Sequence, residues 1–366
     1  MRMLIIGLIG IGDFLLFIPA LRALRRELPA ATIDYLAASQ DMRHLVGLFG
    51  LFDNVLIAKT ATWAKKDSFR SRMGFVTCAC KDLRTIRKAW YDAAIWPVSQ
   101  VNLKMDLFMR LTGARRRSIF RRENGILKWV SLNHCIDDNH ELHYAKSRAN
   151  LLEEIISYKS IDFSDHLVKL PQIPNMLSEN YHSLMDKISH HKGIKVGMQV
   201  FGKASFSRGK DYPLESYAEI IKRISKTYDD CCVILIGNDD SLRYVFEPFG
   251  IQEQLCVANK LSLYETANLI CGLDIVIGGD SGIPHLANAL GVTSIMLHGP
   301  SAYWRSGLLG NRGISLHREV ECGPCREIGR SVKIEENCLD RVCFKLLTPD
   351  LVMSKFQELV EGKKEL

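Results

Sequence analysis

The stretch GLDIVIGGDSGIPHLANALGVTSIMLHGP, residues 272–300, restricts the fold of this chain more than any other. Asp274 to Gly278 is short and apolar and reads as a buried strand. Gly279-Asp280-Ser281-Gly282 is a turn. Ile283 to Leu290 reads as a helix, with Pro284 in its first turn and Gly291 as its stop. Thr293 to Leu297 is a second apolar strand, and Gly299-Pro300 closes the unit. Strand, Gly-rich turn, helix and strand form a βαβ unit, which requires a parallel sheet. The turn brings backbone N–H groups, the Ser281 hydroxyl, the Asp280 carboxylate and the His285 imidazole to the carboxyl edge of that sheet. Open α/β sheets bind ligands at this edge, and a helix N-terminus there favours an anion. The expectation is a nucleotide-phosphate site.

The surrounding sequence extends the pattern. After a crossing segment at Asp165 to Pro174, Ser178 to Ser189 reads as a helix. Strands are expected at Ile194 to Val200, Cys232 to Ile236, Asp274 to Ile277 and Thr293 to Leu297, with helices at Leu214 to Thr227 and Leu263 to Leu269. Alternation at this spacing means right-handed crossovers on one parallel sheet. Three loops then share its carboxyl edge. Gly202 to Pro213 supplies Lys203, Ser205, Ser207, Arg208 and Lys210, cations and hydroxyls for a pyrophosphate. Gly237-Asn238-Asp239-Asp240 offers a carboxylate for ribose hydroxyls. Gly279 to Gly282 offers backbone amides for phosphate. Each loop alone would pass for an ordinary surface turn; three at one edge argue for a site.

The N-terminal half opens the same way. Met3 to Ile6 is a strand, Phe14 to Leu28 an amphipathic helix that Pro19 should kink, and Thr32 to Leu36 the next strand. The intervening glycines, Gly7, Gly10 and Gly12, are spaced G-x-x-G-x-G, not the G-x-G-x-x-G of dinucleotide sites. Asp34 lies inside its strand, away from the strand end where a ribose would bind. Asp13 sits where the helix starts, as a capping carboxylate, a catalytic group at the sheet edge, or both. Further strands are expected at Asn54 to Ala58, Gly74 to Cys78 and Ala93 to Trp96, with a helix at Leu103 to Leu111. His134, His140 and His143 lack metal-ligand spacing and read as surface or loop packing.

At 366 residues the chain accommodates two domains, and 47% hydrophobic with 24% charged residues describes a folded globular protein. The net charge is +7, but Arg110, Arg115, Arg116, Arg117, Arg121 and Arg122 crowd one segment. Such a cluster suits phosphates of a lipid, sugar or nucleic acid, or is a solvated loop. It lacks interleaved aromatics, which argues against nucleic acid. Met1 to Ala20 imitates a secretory signal until Asp13 interrupts it, and reads as a buried first strand instead. No apolar run reaches the roughly 18 residues a spanning helix needs. The expectation is a cytosolic or peripheral protein.

Of 11 cysteines, Cys78, Cys80, Cys135, Cys231, Cys232, Cys256 and Cys271 lie in or beside apolar runs and read as reduced core thiols. The other four, Cys322, Cys325, Cys338 and Cys343, follow C-x2-C-x12-C-x4-C. Four thiolates at that spacing suit structural Zn²⁺ or iron; disulfides and free thiols are the alternatives. Any metal would be structural, because four protein ligands leave no open position.

The motifs resemble those of glycosyltransferase family 9, the heptosyltransferases of lipopolysaccharide core assembly and their relatives. The marks are G-x-G-D-x-x-x-x-x-P-A-L at Gly10 to Leu21, K-D-Y-P at Lys210 to Pro213, D-S-G-x-x-H-L-A-x-A-L-G at Asp280 to Gly291, and H-G-P at His298 to Pro300. The resemblance covers nearly the whole chain; Tyr212 stands where many members carry Trp. It implies an α/β GT-B fold, two Rossmann-like domains whose parallel sheets face across a cleft that holds the active site. The implied domains are residues 1–170 for the acceptor, 171–348 for the nucleotide sugar, and a helix in 349–366 returning to the first domain. It implies an inverting, metal-independent transfer from a nucleotide-diphosphate sugar, typically ADP-heptose, to a lipid-linked or core oligosaccharide, with no cofactor, by a cytoplasmic protein in peripheral contact with the inner membrane surface. Asp13 then looks like the general base and Lys210 like the cation for the leaving diphosphate. Asp280, Ser281, Gly282, His285, Gly237, Asp239, Lys203 and Ser205 fall on the donor side; Gly12, Arg115, Arg116 and Arg117 fall on the acceptor side. Two other readings compete: a GT-B transferase or epimerase using a UDP- or GDP-sugar, and a non-catalytic protein that binds nucleotide or polyanion.

Overall fold

Two six-stranded sheets, each wholly parallel, carry the chain in the computed structural model. The structure describes residues 1–59, 69–98, 103–121, 134–153, 155–156, 159, 161–202, 210–252, 255–325, 338 and 340–362. The chain divides into two units, Met1–His166 and Leu167–Leu366.

The first unit orders its strands β3-β2-β1-β4-β5-β6. They are β1 (Arg2–Gly7), β2 (Thr32–Ala37), β3 (Asn54–Ile57), β4 (Ala93–Trp96), β5 (Arg116–Phe120) and β6 (His134–Ile136). Helices α1 (Ile11–Glu27), α2 (Gln40–Leu48), α3 (Phe69–Lys88), α4 (Leu103–Leu111) and α5 (Tyr144–Ala149) alternate with them. The second unit orders its strands β12-β11-β10-β7-β8-β9. These are β7 (Lys195–Gln199), β8 (Cys232–Ile236), β9 (Leu255–Ala258), β10 (Ile275–Gly279), β11 (Thr293–Leu297) and β12 (Gly313–Leu316). Its main helices are α6 (Glu179–Ser189), α7 (Leu214–Thr227), α8 (Leu263–Cys271) and α9 (Gly282–Ala289).

Both orders reverse direction in the middle. From β1 the chain works outward through β2 and β3, then returns to place β4 on the other side of β1. From β7 it works outward through β8 and β9, then returns to place β10 on the other side of β7. At such a reversal the two adjacent loops leave in opposite directions and open a crevice at the carboxyl ends of the strands. The crevices lie between β1 and β4, and between β7 and β10.

The βαβ unit forms as its sequence requires, with Ile275–Gly279 in register against Thr293–Leu297 and fully parallel. Three expectations are corrected. Gly74 to Cys78 is not a strand but part of α3, because Phe69–Lys88 keeps helical spacing through it. His134 begins strand β6 rather than a packed loop. Most of the cysteines outside the four-Cys group are not core thiols: Cys80 and Cys271 are exposed, and only Cys232 is fully buried, though all seven are free thiols. Helix α1 continues through Pro19, which is buried.

Asp34 shows what a purely structural carboxylate looks like here. It is 1% exposed in β2 and accepts from Arg2 Nη2 at 2.9 Å, Asn54 Nδ2 at 2.8 Å and Tyr91 Oη at 2.7 Å. With its oxygens committed to protein donors, it has no role for a ribose. In the second unit, the C-terminal helix Pro349–Glu361 buries Val352, Met353, Phe356 and Val360 in the unit's own core with Tyr217, Ile220 and Ile224 of α7.

Gly7, which ends β1, allows the Tyr35 ring to cover the strand end, and Tyr35 Oη donates to Gly7 O at 3.2 Å. A Cβ at position 7 would fall 1.8 Å from the ring carbon Cζ. Gly7→Ala should therefore displace that ring and cost about 1–3 kcal/mol. Chemical denaturation measures it; unchanged stability would mean that the ring moves away freely.

Candidate functional site

In the second unit the loop after β7 ends at Lys210, and the turn after β10 carries Asp280. The two lie on either side of the crevice. Lys210 Nζ and Asp280 Oδ2 are 2.6 Å apart, with only 15% and 9% of their side chains exposed. Burial alone would push the Asp280 carboxyl up. Lys210, the neighbouring His298 and the Ser301 hydroxyl outweigh it and hold the group well below the usual carboxylate range. Asp280 is therefore a fixed negative charge whose work is to place Lys210 at the strand ends.

The turn itself is built by small residues. A Cβ on Gly278 would meet Pro284 Cγ at 3.0 Å and Gln199 Cβ at 3.1 Å, so glycine lets α9 start hard against the sheet. Ser281 holds the N-cap position of α9 in extended conformation, φ −155° and ψ 178°, but makes no side-chain cap. Its hydroxyl turns away, to Gln199 Oε1 and to Gly279 O at 3.2 Å. Ser281 thus leaves the first-turn amides of α9, from Gly282 onward, without an N-cap side chain, and His285 is buried in the next turn. An uncapped helix start beside a lysine can receive an anion.

Aromatic packing ties two of the sequence motifs together here. Tyr212 of K-D-Y-P is buried and donates from Oη to Leu347 O at 2.6 Å. Its ring meets Phe344 edge-on at 5.7 Å, and burial pushes its phenol up to about 12. Phe344 in turn lies flat against Gly299 of H-G-P, where a Cβ would come within 2.2 Å of the ring.

Gly237 follows β8 at the same carboxyl edge, its N–H donating to Ala258 O at 3.2 Å. Asp239 accepts from Ser241 N at 2.9 Å and caps a short 3₁₀ turn at Asp240–Arg243. Those Ser241 hydrogen bonds hold its carboxyl below the ordinary value. Lys203 and Ser205 lie outside the described residues.

In the first unit the corresponding crevice holds Asp13. It is not an N-cap: Gly10 takes that position, no side chain caps α1, and Asp13 lies in the first helical turn. Its Oδ1 accepts from Arg148 Nη2 at 2.5 Å. Arg148 Nε donates to Pro97 O at 3.0 Å, and its guanidinium lies 4.9 Å over the Tyr144 ring. Pro97 follows β4 and Asp13 follows β1, so one arginine from α5 clamps both loops of the crevice. Arg148 is nearly fully buried, with 4% of its side chain exposed, while 46% of the Asp13 side chain is open to solvent. Arg148 Nη1 is buried and has no hydrogen-bond partner among the described residues. Nothing in YAKSRAN marks Arg148 as functional, and the sequence reading missed it. A lone arginine between Ser147 and Ala149 is the only signal it left.

Arg115, Arg116 and Arg117 are not brought to Asp13. Arg116 pairs in register with Ala93, which is level with Met3 at the start of β1, whereas Asp13 follows the end of β1. Four strand residues, about 13 Å, separate the two sheet edges. Gly12 does share the first turn of α1 with Asp13.

The four-Cys group draws together around Cys343. All four are free thiols, and among the described residues no three His, Cys, Asp or Glu side chains are arranged to hold a metal. Cys325 Sγ contacts Cys322 O at 3.3 Å, and Arg341 N donates to Cys338 Sγ at 3.3 Å. Burial, reinforced by Cys325, Cys322 and Cys338, pushes the Cys343 thiol up to about 11.

A chain with two doubly wound parallel sheets, each with a charged pair at its strand-order reversal, is a two-unit α/β protein. Its family is defined by sequence. The model of glycosyltransferase family 9 (heptosyltransferase) matches residues 80–334, well over half of the chain, and the protein belongs to that family. Lipopolysaccharide heptosyltransferase 1 of Campylobacter coli is 25% identical over 186 residues, 49% of this chain and 52% of the relative. The chain thus spans about half the length of that curated relative. Among solved structures, E. coli ADP-heptose lipopolysaccharide heptosyltransferase II matches with TM-score 0.70 at 18% identity over 100% of both chains. The bacterial iron-containing dodecameric glycosyltransferase TibC from enterotoxigenic E. coli H10407 matches with TM-score 0.58 at 12% identity, covering 99% of this chain and 76% of that one. These likenesses show the GT-B fold.

Asp280→Asn removes the charge that holds Lys210 and leaves a mostly buried ammonium unpaired, a loss of about 3 kcal/mol at pH 7. Because the folded carboxyl titrates far below an unfolded aspartate, its contribution is full above about pH 4 and fades as pH falls below that. Denaturant melts of both proteins at neutral and acid pH should show the stability gap narrowing on acidification. A gap that is constant or widens contradicts the pairing.

Proposed function

We propose that this protein is an inverting heptosyltransferase that moves a heptose or related sugar from a nucleotide-diphosphate sugar, ADP-heptose by preference, to a hydroxyl of a lipopolysaccharide core or other glycan acceptor. The Lys210–Asp280 pair beside the uncapped start of α9 carries this reading. Together they offer the Lys210 ammonium and a set of backbone amides at a strand-order reversal, which suits a diphosphate, within the motifs of the family. The names of the relatives, heptosyltransferases and an ADP-heptose enzyme among them, support the choice of donor.

Asp13 takes the proton of the acceptor hydroxyl through its solvent-open side, while Arg148 fixes the carboxylate from behind. The acceptor oxygen forms its bond to the anomeric carbon from the face opposite the leaving group, and the bond to the diphosphate oxygen breaks. Lys210 and the α9 amides neutralise the charge that develops on the leaving diphosphate. The sugar is transferred with inversion, and nucleoside diphosphate and one proton are released. No step calls for a cofactor or metal.

Asp13→Asn preserves the shape of the site but cannot take the proton. It should fold and bind ADP-heptose as the parent does, yet lose acceptor-dependent ADP release by roughly 10²-fold or more. Full turnover would reject Asp13 as the base. Donor binding with no acceptor-dependent ADP release in the parent protein would instead favour a non-catalytic nucleotide binder. Thermal-shift comparison of ADP-, GDP- and UDP-sugars separates the donor classes.

A further inference from the structure

The side chains that the catalytic reading leaves unused gather on one face of the first unit. The crossovers from β3 to β4 and from β4 to β5 run in the same direction along the sheet, so their right-handed helices, α3 and α4, cover the same face. Their inner sides share one core: Ile86 of α3 packs with Phe108 and Met109 of α4. At their carboxyl ends they adjoin, with Arg87 Cγ 3.8 Å from where a Cβ on Gly113 would lie.

Their outer sides combine exposed apolar groups with cations. Leu103, Leu107 and Leu111, spaced four apart on α4, form a stripe that is 48%, 46% and 39% exposed. Trp90, which follows α3, is 85% exposed. It holds a left-handed backbone, φ 52°, where a helix end would ordinarily use glycine or asparagine. Lys81, Arg84, Arg87 and Lys88 of α3 are exposed, as are Lys104 and Arg110 of α4 and Arg115 and Arg116 beyond it. The carboxylates within these stretches, Asp82 and Asp106, are buried and do not offset them. Arg117 is pushed down by its burial and then by the charge of Arg110, so the cluster already repels itself.

We infer that the outer face of α3 and α4, with Trp90 and the Arg115–Arg116 corner, is a docking surface for an anionic lipid bilayer. Charge complementarity selects the partner: cations without exposed carboxylates bind acidic headgroups, each gaining about fivefold in affinity. The leucine stripe and the tryptophan select a bilayer over a soluble polyanion. Apolar side chains beside cations on a helix enter the headgroup boundary, and Trp favours that depth. For nucleic acid the leucines would contribute nothing. Among the described residues no helix is long and apolar enough to cross a membrane, so attachment by this face would be peripheral. The inference stands apart from the catalytic assignment, because the surface and the crevice at Asp13 use different residues.

Co-sedimentation with vesicles tests it. The protein should sediment with phosphatidylethanolamine–phosphatidylglycerol vesicles and stay in solution with phosphatidylcholine vesicles. Arg87→Glu/Lys88→Glu and, separately, Leu107→Asp should each lower the apparent affinity about tenfold or more, with thermal midpoints near the parent's as the folding control. Vesicle addition should shift tryptophan emission to the blue, and Trp90→Phe should abolish the shift. Equal binding to neutral vesicles, no sedimentation at all, or undiminished binding by folded Leu107→Asp would overturn the inference. So would retention on RNA that Leu107→Asp leaves intact, which would mark a polynucleotide surface. None of these readouts depends on sugar transfer, so a failed glycosyltransferase assay leaves them interpretable.

Discussion

Asp280 and Lys210 form a nearly buried ion pair, and much of the second unit's candidate site depends on it. Withdrawing two charges from water is costly, and apolar residues of similar volume are often as stable in such a place. The pair makes sense as a device for position. It links the loop after β7 to the turn after β10, the two segments that part at the reversal of strand order. The contrast with Asp34 is instructive. That carboxylate is buried in mid-strand with Arg2, Asn54 and Tyr91 on its oxygens, and its role ends with the fold. Asp280 is at the strand ends, and the cation it holds is the group that can meet an anion.

The first unit repeats the arrangement with the charges exchanged. A buried cation, Arg148, holds a half-exposed carboxylate, Asp13, and joins the loops after β1 and β4 through Pro97 O. In the second unit a buried carboxylate holds a cation; in the first a buried cation holds a carboxylate. Of the two groups so held, Asp13 is 46% exposed and Lys210 15%. Under the proposed function, Asp13 would serve proton removal and Lys210 the release of the diphosphate.

What the sequence displayed and what it hid follow from range. The βαβ unit at 272–300 was legible because strand, turn and helix signals are local, and its elements fall within a residue or so of their expected places. Asp13, Lys210 and Asp280 were legible because each sits in a motif at a strand end. Arg148 was not, since its partners Asp13 and Pro97 lie 135 and 51 residues away and no local pattern records them. The strand at Arg116–Phe120 was hidden by the arginines at its start, which read as a basic loop. The same arginines looked like acceptor contacts until the strand register placed them at the opposite sheet edge from Asp13. Gly74 to Cys78 misled in the other direction: a short β-branched and apolar run inside a helix cannot be told from a strand by composition.

The central claim is that Lys210, placed by Asp280, receives the diphosphate of the donor. Calorimetric titration of the parent protein and Lys210→Met with ADP and with AMP isolates that contact, because the two nucleotides differ only in the β-phosphate. A diphosphate site on Lys210 predicts that the parent binds ADP about tenfold or more tightly than AMP, and that the difference largely disappears in the variant. Equal affinity of the parent for the two nucleotides, or a preference for ADP that survives in Lys210→Met, would contradict it.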